Sequence, residues 1–162
     1  MEGITLNQIG VSFKGSGSYV PNQILTNQDI SKKVDTSDEW IKSRTGISER
    51  RISGLEEDVS QMGYKAALEA IKMAKWDIDT IDLIILATST PNDLFGSAPS
   101  IQEKLGANNA VAFDLTAACS GFLFAVITAS QFLKTGSYKR AIVIGSDQLS
   151  SYVDWNDRRS CI

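Results

Sequence analysis

Along this chain, stretches in which apolar residues return every three or four positions alternate with short unbroken apolar runs. From Asp58, the residues Val59, Met62, Ala66, Ala70 and Ala74 recur at the first kind of spacing, which predicts one amphipathic helix ending near Lys75. Leu83 to Ala87 are apolar without interruption. Continuous apolarity over so short a run fits a strand covered on both faces, as strands of parallel sheets are. Ala110 to Leu115 and Ala141 to Gly145 are predicted as two further strands. Between these strands lie a short helix from Ser97 to Leu105, closed by Gly106, and a longer one from Cys119 to Leu133, closed by Gly136. Phe122, Leu123, Phe124, Val126, Ile127, Phe132 and Leu133 leave the longer helix almost no polar face, which predicts a central, buried position.

Upstream, residues 8–20 mix strand-forming residues with glycines and stop at Pro21, a pattern for a bulged or kinked strand entering a turn. Thr26 or Asn27 is expected to cap a short helix reaching Lys33. Thr36-Ser37-Asp38-Glu39 reads as a capping box for a second helix, with Lys42 and Arg44 near its end and Gly46 beyond. Ile47 to Ile52 fit another strand. Strand and helix thus alternate, as in an α/β layer with a largely parallel sheet. No linker, low-complexity tract or repeat divides the chain, so residues 1–162 are expected to act as one structural unit. The stop at Asp157-Arg158-Arg159-Ser160-Cys161-Ile162, with no cap or polar tail and with Cys161 read as a strand residue, gives the expectation of a fragment.

Composition narrows the chemistry. A net charge of -3 argues against a nucleic-acid protein, which needs a basic face for phosphate. No apolar run approaches the ~18 residues of a membrane span, and the first residues, Met1 to Leu6, have neither a basic nor an apolar leader character. A cytosolic protein with free thiols is therefore expected, in preference to a Cys119–Cys161 disulfide. The chain contains no histidine and two cysteines. Alone it cannot build a Ser-His-Asp triad, a Cys-His pair, a histidine zinc site or a four-thiolate zinc site, so no metal is expected.

Three segments carry candidate chemistry. In Asp114-Leu115-Thr116-Ala117-Ala118-Cys119-Ser120-Gly121-Phe122, a strand runs through small residues to a cysteine at a helix start. Unpaired N–H groups there favour negative charge on sulfur, and Ala117, Ala118 and Gly121 leave room for a substrate. The alternative is a small buried filler, as free cysteines commonly are. In Asp35 to Ile47, Thr36, Trp40 and Arg44 are spaced four apart and would line one helix face. A hydroxyl, an indole and a guanidinium on one stripe suit a base and a phosphate, although on these residues alone a capped surface helix anchored by its Trp is the favoured reading. In Asp154-Trp155-Asn156-Asp157-Arg158-Arg159, the arginines suit a phosphate or adenine site, or a solvated loop with self-paired charges. Gly15-Ser16-Gly17-Ser18 matches neither a P-loop nor a dinucleotide fingerprint.

Taken together and in order, three runs resemble the β-ketoacyl-acyl-carrier-protein synthase III family. They are DTSDEWI-x-x-RTGI at Asp35 to Ile47, AFD-x-x-AACSGF at Ala112 to Phe122, and GSD at Gly145 to Asp147 with D-x-x-DR ending at Arg158. The resemblance covers the chain and about the first half of the family's length. It implies a layered α-β-α, thiolase-like fold with a mostly parallel, mixed sheet, of which this chain is the first of two similar halves. It implies Cys119 as the nucleophile that takes an acyl group from acyl-CoA, with CoA as part of the substrate and no separate cofactor. Trp40 and Arg158 would sandwich the adenine, Arg44 would meet a CoA phosphate, and Thr36 would contact the nucleotide end. Phe95 would enter the neighbouring subunit's acyl pocket in a homodimer, and Leu149 would line the pocket. Decarboxylative condensation with malonyl-acyl-carrier protein would need a His and an Asn from a second half. A half standing alone is then expected to expose apolar surface and to be inactive. A noncatalytic acyl-CoA-binding module and a thiolase-fold condensing enzyme of secondary metabolism are the alternatives.

Overall fold

The computed structural model of the chain describes residues 10–162. Its elements in chain order are β1 (Gln23–Thr26), α1 (Asn27–Ser31), α2 (Asp38–Thr45), β2 (Glu49–Ile52), α3 (Val59–Ala74), β3 (Leu83–Ala87), α4 (Ala98–Leu105), β4 (Val111–Leu115), α5 (Gly121–Lys134), β5 (Ala141–Gly145) and α6 (Arg158–Cys161). Contacts divide these into two compact units. The larger comprises Val59–Asp147 with the described residues up to Tyr19, and the smaller comprises Val20–Asp58 with Gln148–Ile162. No helix among the described residues is long and apolar enough to cross a membrane.

The larger unit is built around β3, which pairs in parallel with β4 on one side and β5 on the other, Leu83 standing opposite both Val111 and Ala141. All five of its residues are buried, because its two faces are both covered. Ile84 and Leu86 pack with Val59, Ala67 and Ile71 of α3 and with Ile101 and Leu105 of α4. Leu83, Ile85 and Ala87 pack with Ala125 and Ala129 of α5. Each fully buried Leu or Ile side chain contributes about 1.5–3 kcal/mol. The α-β-α layering and the parallel sheet agree with the pattern read from the sequence.

Two expectations for this unit change. Helix α5 is not centrally buried: its sheet side is made of the small residues Gly121, Ala125 and Ala129, while Phe122, Leu123, Phe124 and Ile127 stand half exposed. Gly121 belongs to that packing rather than to substrate access, since a Cβ on it would lie 3.3 Å from the Ala87 methyl. The strand expected over residues 8–20 starts outside the described residues, and its described part forms no ladder. Its amides turn to α3 instead. The Ser16 N–H donates to Met73 Sδ at 3.3 Å and the Ser18 N–H to Glu69 Oε2 at 3.1 Å. Gly15 and Gly17 press directly on the α3 backbone at Ala70 and Ala66, leaving no space for a Cβ. A groove of about 770 Å³ runs between Val11–Gly17, the small residues of α3, and β5.

In the smaller unit, β1 pairs antiparallel with β2, Gln23 opposite Ile52. Thr26 caps α1 in a reciprocal box with Asp29. The box expected at Thr36 does not form. The N-cap of α2 is Ser37, whose hydroxyl accepts from the Trp40 N–H at 3.1 Å, and Gly46 closes the helix at a φ of 74°. Cys161 lies in a helix, not a strand, because the Asp157 carboxylate accepts from the Arg159 N–H at 2.9 Å and the Cys161 N–H closes the turn onto the Asp157 carbonyl at 3.0 Å. It is buried with Ile30 and Ile41.

Gly17→Ala is expected to cost about 1–3 kcal/mol, since the added methyl meets helix backbone that cannot yield. Gly10→Ala, with no described atom within 4 Å, is expected to be near neutral. Urea unfolding midpoints of the two variants check the contrast.

Candidate functional site

Cys119 sits in the tight turn between β4 and α5 of the larger unit. The chain leaves β4 at Leu115, reaches Ala118 with a φ of 47°, and makes a short 3-10 turn, Ala118–Ser120, before α5 begins at Gly121. A residue with a Cβ in that left-handed region stores on the order of 1–3 kcal/mol. The turn it makes is of the strand-to-helix elbow kind that lifts a nucleophile clear of its sheet. The thiol is exposed, so Cys119 is not the buried filler. Ser120 makes no side-chain cap at the start of α5, and the Gly121 N–H turns back to the Ala118 carbonyl.

Two carboxylates brace the turns around it. Asp114, four residues into β4, accepts from the Ser97 and Ala98 N–H groups at 2.7 Å each, fixing the start of α4. Its carboxyl group lies 3.2 Å from where a Cβ of Gly96 would be, and Gly96 has a φ of 93°. Just before it, Phe95 is 91% exposed on a loop turned by Asp93, whose Oδ1 accepts from the Phe95 N–H at 2.7 Å. Asp147 accepts from the Ser89 N–H at 2.7 Å and from the Thr88 hydroxyl at 3.3 Å, tying the end of β5 to the end of β3. The sequence reading assigned neither carboxylate a role. An acidic residue inside the apolar run Val111–Leu115 is the signal for Asp114.

In the smaller unit the structure brings Trp40, Arg44 and Arg158 together. The Arg158 guanidinium lies 4.4 Å from the Trp40 ring centroid and that of Arg44 5.8 Å. Arg158 is held there by an Nε–H bond to the Asp35 carbonyl at 2.8 Å, whereas its neighbour Arg159 is the self-paired one, 3.2 Å from Asp157. A base lying between Trp40 and Arg158 would need about 7–8 Å, two stacking distances, so the pair is closed on itself here. Thr36 does not join the stripe. It precedes the cap of α2, and its buried hydroxyl has no partner among the described residues. Leu149 is exposed in a short turn, Leu149–Ser151, of the same unit. Asp38 at the start of α2 bonds Lys42 Nζ at 2.8 Å. That ammonium, and then the Asn27 amide, hold the Asp38 carboxyl below the usual carboxylate range.

Fold and elbow define the class: an α/β thiolase-like chain presenting an exposed cysteine after its second sheet strand. Residues 113–162 match the family described as 3-oxoacyl-[acyl-carrier-protein (ACP)] synthase III. Over all 162 residues the chain is 89% identical to the β-ketoacyl-[acyl-carrier-protein] synthase III of Prochlorococcus marinus subsp. pastoris, covering 48% of that protein. The 3-oxoacyl-[acyl-carrier-protein] synthase III of Aquifex aeolicus superposes with a TM-score of 0.90 at 48% identity, over 94% of this chain and 49% of that one. The priming β-ketosynthase of the R1128 polyketide pathway superposes with a TM-score of 0.87 at 34% identity, over 90% of this chain and 44% of that one. The chain belongs to the β-ketoacyl-[acyl-carrier-protein] synthase III family as its N-terminal half, and spans about half the length of the curated relatives it matches.

Under native conditions iodoacetamide is expected to alkylate Cys119 alone, with Cys161 reacting only after denaturation, as read by intact mass and peptide mapping. Acid should loosen the smaller unit. Asp29, Asp38 and Asp157 are all held below the ordinary range, by Lys32, Lys42 and Arg159 respectively. A depressed folded value means that their contribution is complete above the unfolded carboxylate range, near about pH 4, and is lost as pH falls through the folded values. Urea midpoints followed by tryptophan fluorescence should fall between about pH 5 and about pH 2, and fall less in Asp38→Asn.

Proposed function

We propose that this chain is the acyl-accepting half of the condensing enzyme that starts fatty-acid synthesis, a cytoplasmic homodimer when its second half is present. The reading is carried by one observation, the exposed Cys119 on a strained elbow ahead of an uncapped helix, in a chain so similar to named synthases. Cys119 Sγ attacks the thioester carbonyl of acyl-CoA, acetyl-CoA for preference. The new C–S bond forms as the bond to the CoA sulfur breaks, the Cys119 thiol proton leaves with CoA as its free thiol, and the Cys119 N–H faces the developing oxyanion. Malonyl-acyl-carrier protein then loses carbon dioxide. Its carbanion attacks the acyl-Cys119 carbonyl, expelling the cysteine thiolate and giving a β-ketoacyl product. The His and Asn that stabilise the malonyl thioester oxygen belong to the second half, so the half alone does not condense.

The CoA nucleotide binds on the Trp40 face. Arg158 swings off the indole to admit the adenine between them, Arg44 meets a phosphate, and the unpartnered Thr36 hydroxyl takes a polar group of the nucleotide end. Phe95 projects into the acyl pocket of a second subunit, and Leu149 lines the pocket. The polyketide-priming neighbour favours a second reading in which the same chemistry loads a primer for secondary metabolism.

The test grafts this chain in place of the first half of the 89% identical Prochlorococcus relative and incubates graft and isolated chain with acetyl-CoA. One acetyl group is expected on Cys119 of the graft, none in Cys119→Ala, and β-ketoacyl product only when malonyl-acyl-carrier protein is added. Trp40→Ala is expected to raise KM for acetyl-CoA about ten-fold. Binding of CoA without acetylation would instead make the chain a noncatalytic module.

A further inference from the structure

The side chain that ties the nucleotide face together is neither charged nor exposed. Asn27, the first residue of α1, is 0% exposed. Its Nδ2 donates to Asp38 Oδ1 at 2.8 Å and to the Ile47 carbonyl at 2.8 Å, and its Oδ1 accepts from Arg50 Nη1. Its backbone N–H reaches the Ser48 carbonyl at 3.3 Å. Asp38 opens α2 and Ile47 follows its closing glycine, so one amide grips both ends of the helix that carries Trp40 and Arg44. A buried amide with every polar atom partnered holds its neighbours rigidly, and a change to it leaves those neighbours unsatisfied. Burial also pushes the Arg50 guanidinium below its ordinary range.

We propose that Asn27 is a positioning residue for the nucleotide end of acyl-CoA. By clamping both ends of α2 it keeps Trp40 and Arg44 aligned with Arg158, and it touches no substrate itself. This rests on the reading of the Trp40 face given above.

The test uses the same full-length graft and two substrates, acetyl-CoA and the acetyl thioester of N-acetylcysteamine, which keeps the reacting group and lacks the nucleotide. In Asn27→Asp, a carboxylate oxygen replaces Nδ2 and faces Asp38 Oδ1. KM for acetyl-CoA is expected to rise about ten-fold with kcat within about two-fold, and both constants for the truncated thioester should stay within about two-fold. Adding Asp38→Asn returns a donor to that contact and should recover most of the loss. Asp38→Asn alone disturbs the clamp from its solvent side and should raise KM for acetyl-CoA about two- to three-fold, a readout that survives if Asn27→Asp does not fold. Equal losses on both thioesters, or an unchanged KM in both single variants, overturn the proposal. If Trp40→Ala in the parent graft leaves KM for acetyl-CoA unchanged, the nucleotide face itself has been misassigned, and the role of Asn27 falls with it.

Discussion

A strand with no face toward water sets the terms for the larger unit. Because β3 is apolar on both sides, it must be covered by helices above and below, and its two neighbours then run parallel to it. Parallel strands end together. The turns after β3, β4 and β5 therefore emerge at one edge of the sheet, where open α/β sheets place their ligand crevices. That edge carries Cys119, the Phe95 loop and Asp147. Asp114 and Asp147 lash these turns to one another with short charge-assisted bonds. The apolar strand fixes where chemistry can occur, and the two carboxylates fix the shape of the place.

The smaller unit is organised by the opposite means. Its core is little more than Ile30, Ile41 and Cys161, with a few partly buried neighbours. Definition comes from polar groups instead: the Thr26–Asp29 box, the Ser37 and Asp157 caps, and the Asn27 amide among Asp38, Ile47 and Arg50. Directional bonds of this kind orient a short helix more tightly than a small apolar contact does. They also make the orientation of the Trp40 face depend on charge state.

What the sequence made legible follows from which signals have one meaning. Leu83 to Ala87 is too short an apolar run for a buried helix and so reads as a covered strand, and Gly46, Gly106 and Gly136 all stand at positive φ where helix ends were expected. The place of Cys119 between a strand and a helix was legible because small residues lead from one to the other, although the turn itself was not foreseen. Adjacent hydroxyls defeated the cap assignment, since Thr36 and Ser37 are chemically equivalent until geometry chooses. Gly15 and Gly17 suggested a kinked strand but serve close approach to a helix backbone, a tertiary fact. Asn27 looked like one of two possible caps. An asparagine partnered on every side by residues distant in sequence leaves no local trace.

The two-sidedness of α5 has a consequence in time. Its small residues face β3, whereas Leu123, Phe124 and Ile127 stay about half exposed on the other side. In relatives about twice as long, the equivalent helix leaves the ribosome with half the polypeptide still to be made. At about 5–20 residues per second, that is a delay on the order of ten seconds or more. Throughout it this side of the helix is apolar surface of the kind that makes a partly synthesised chain prone to aggregate.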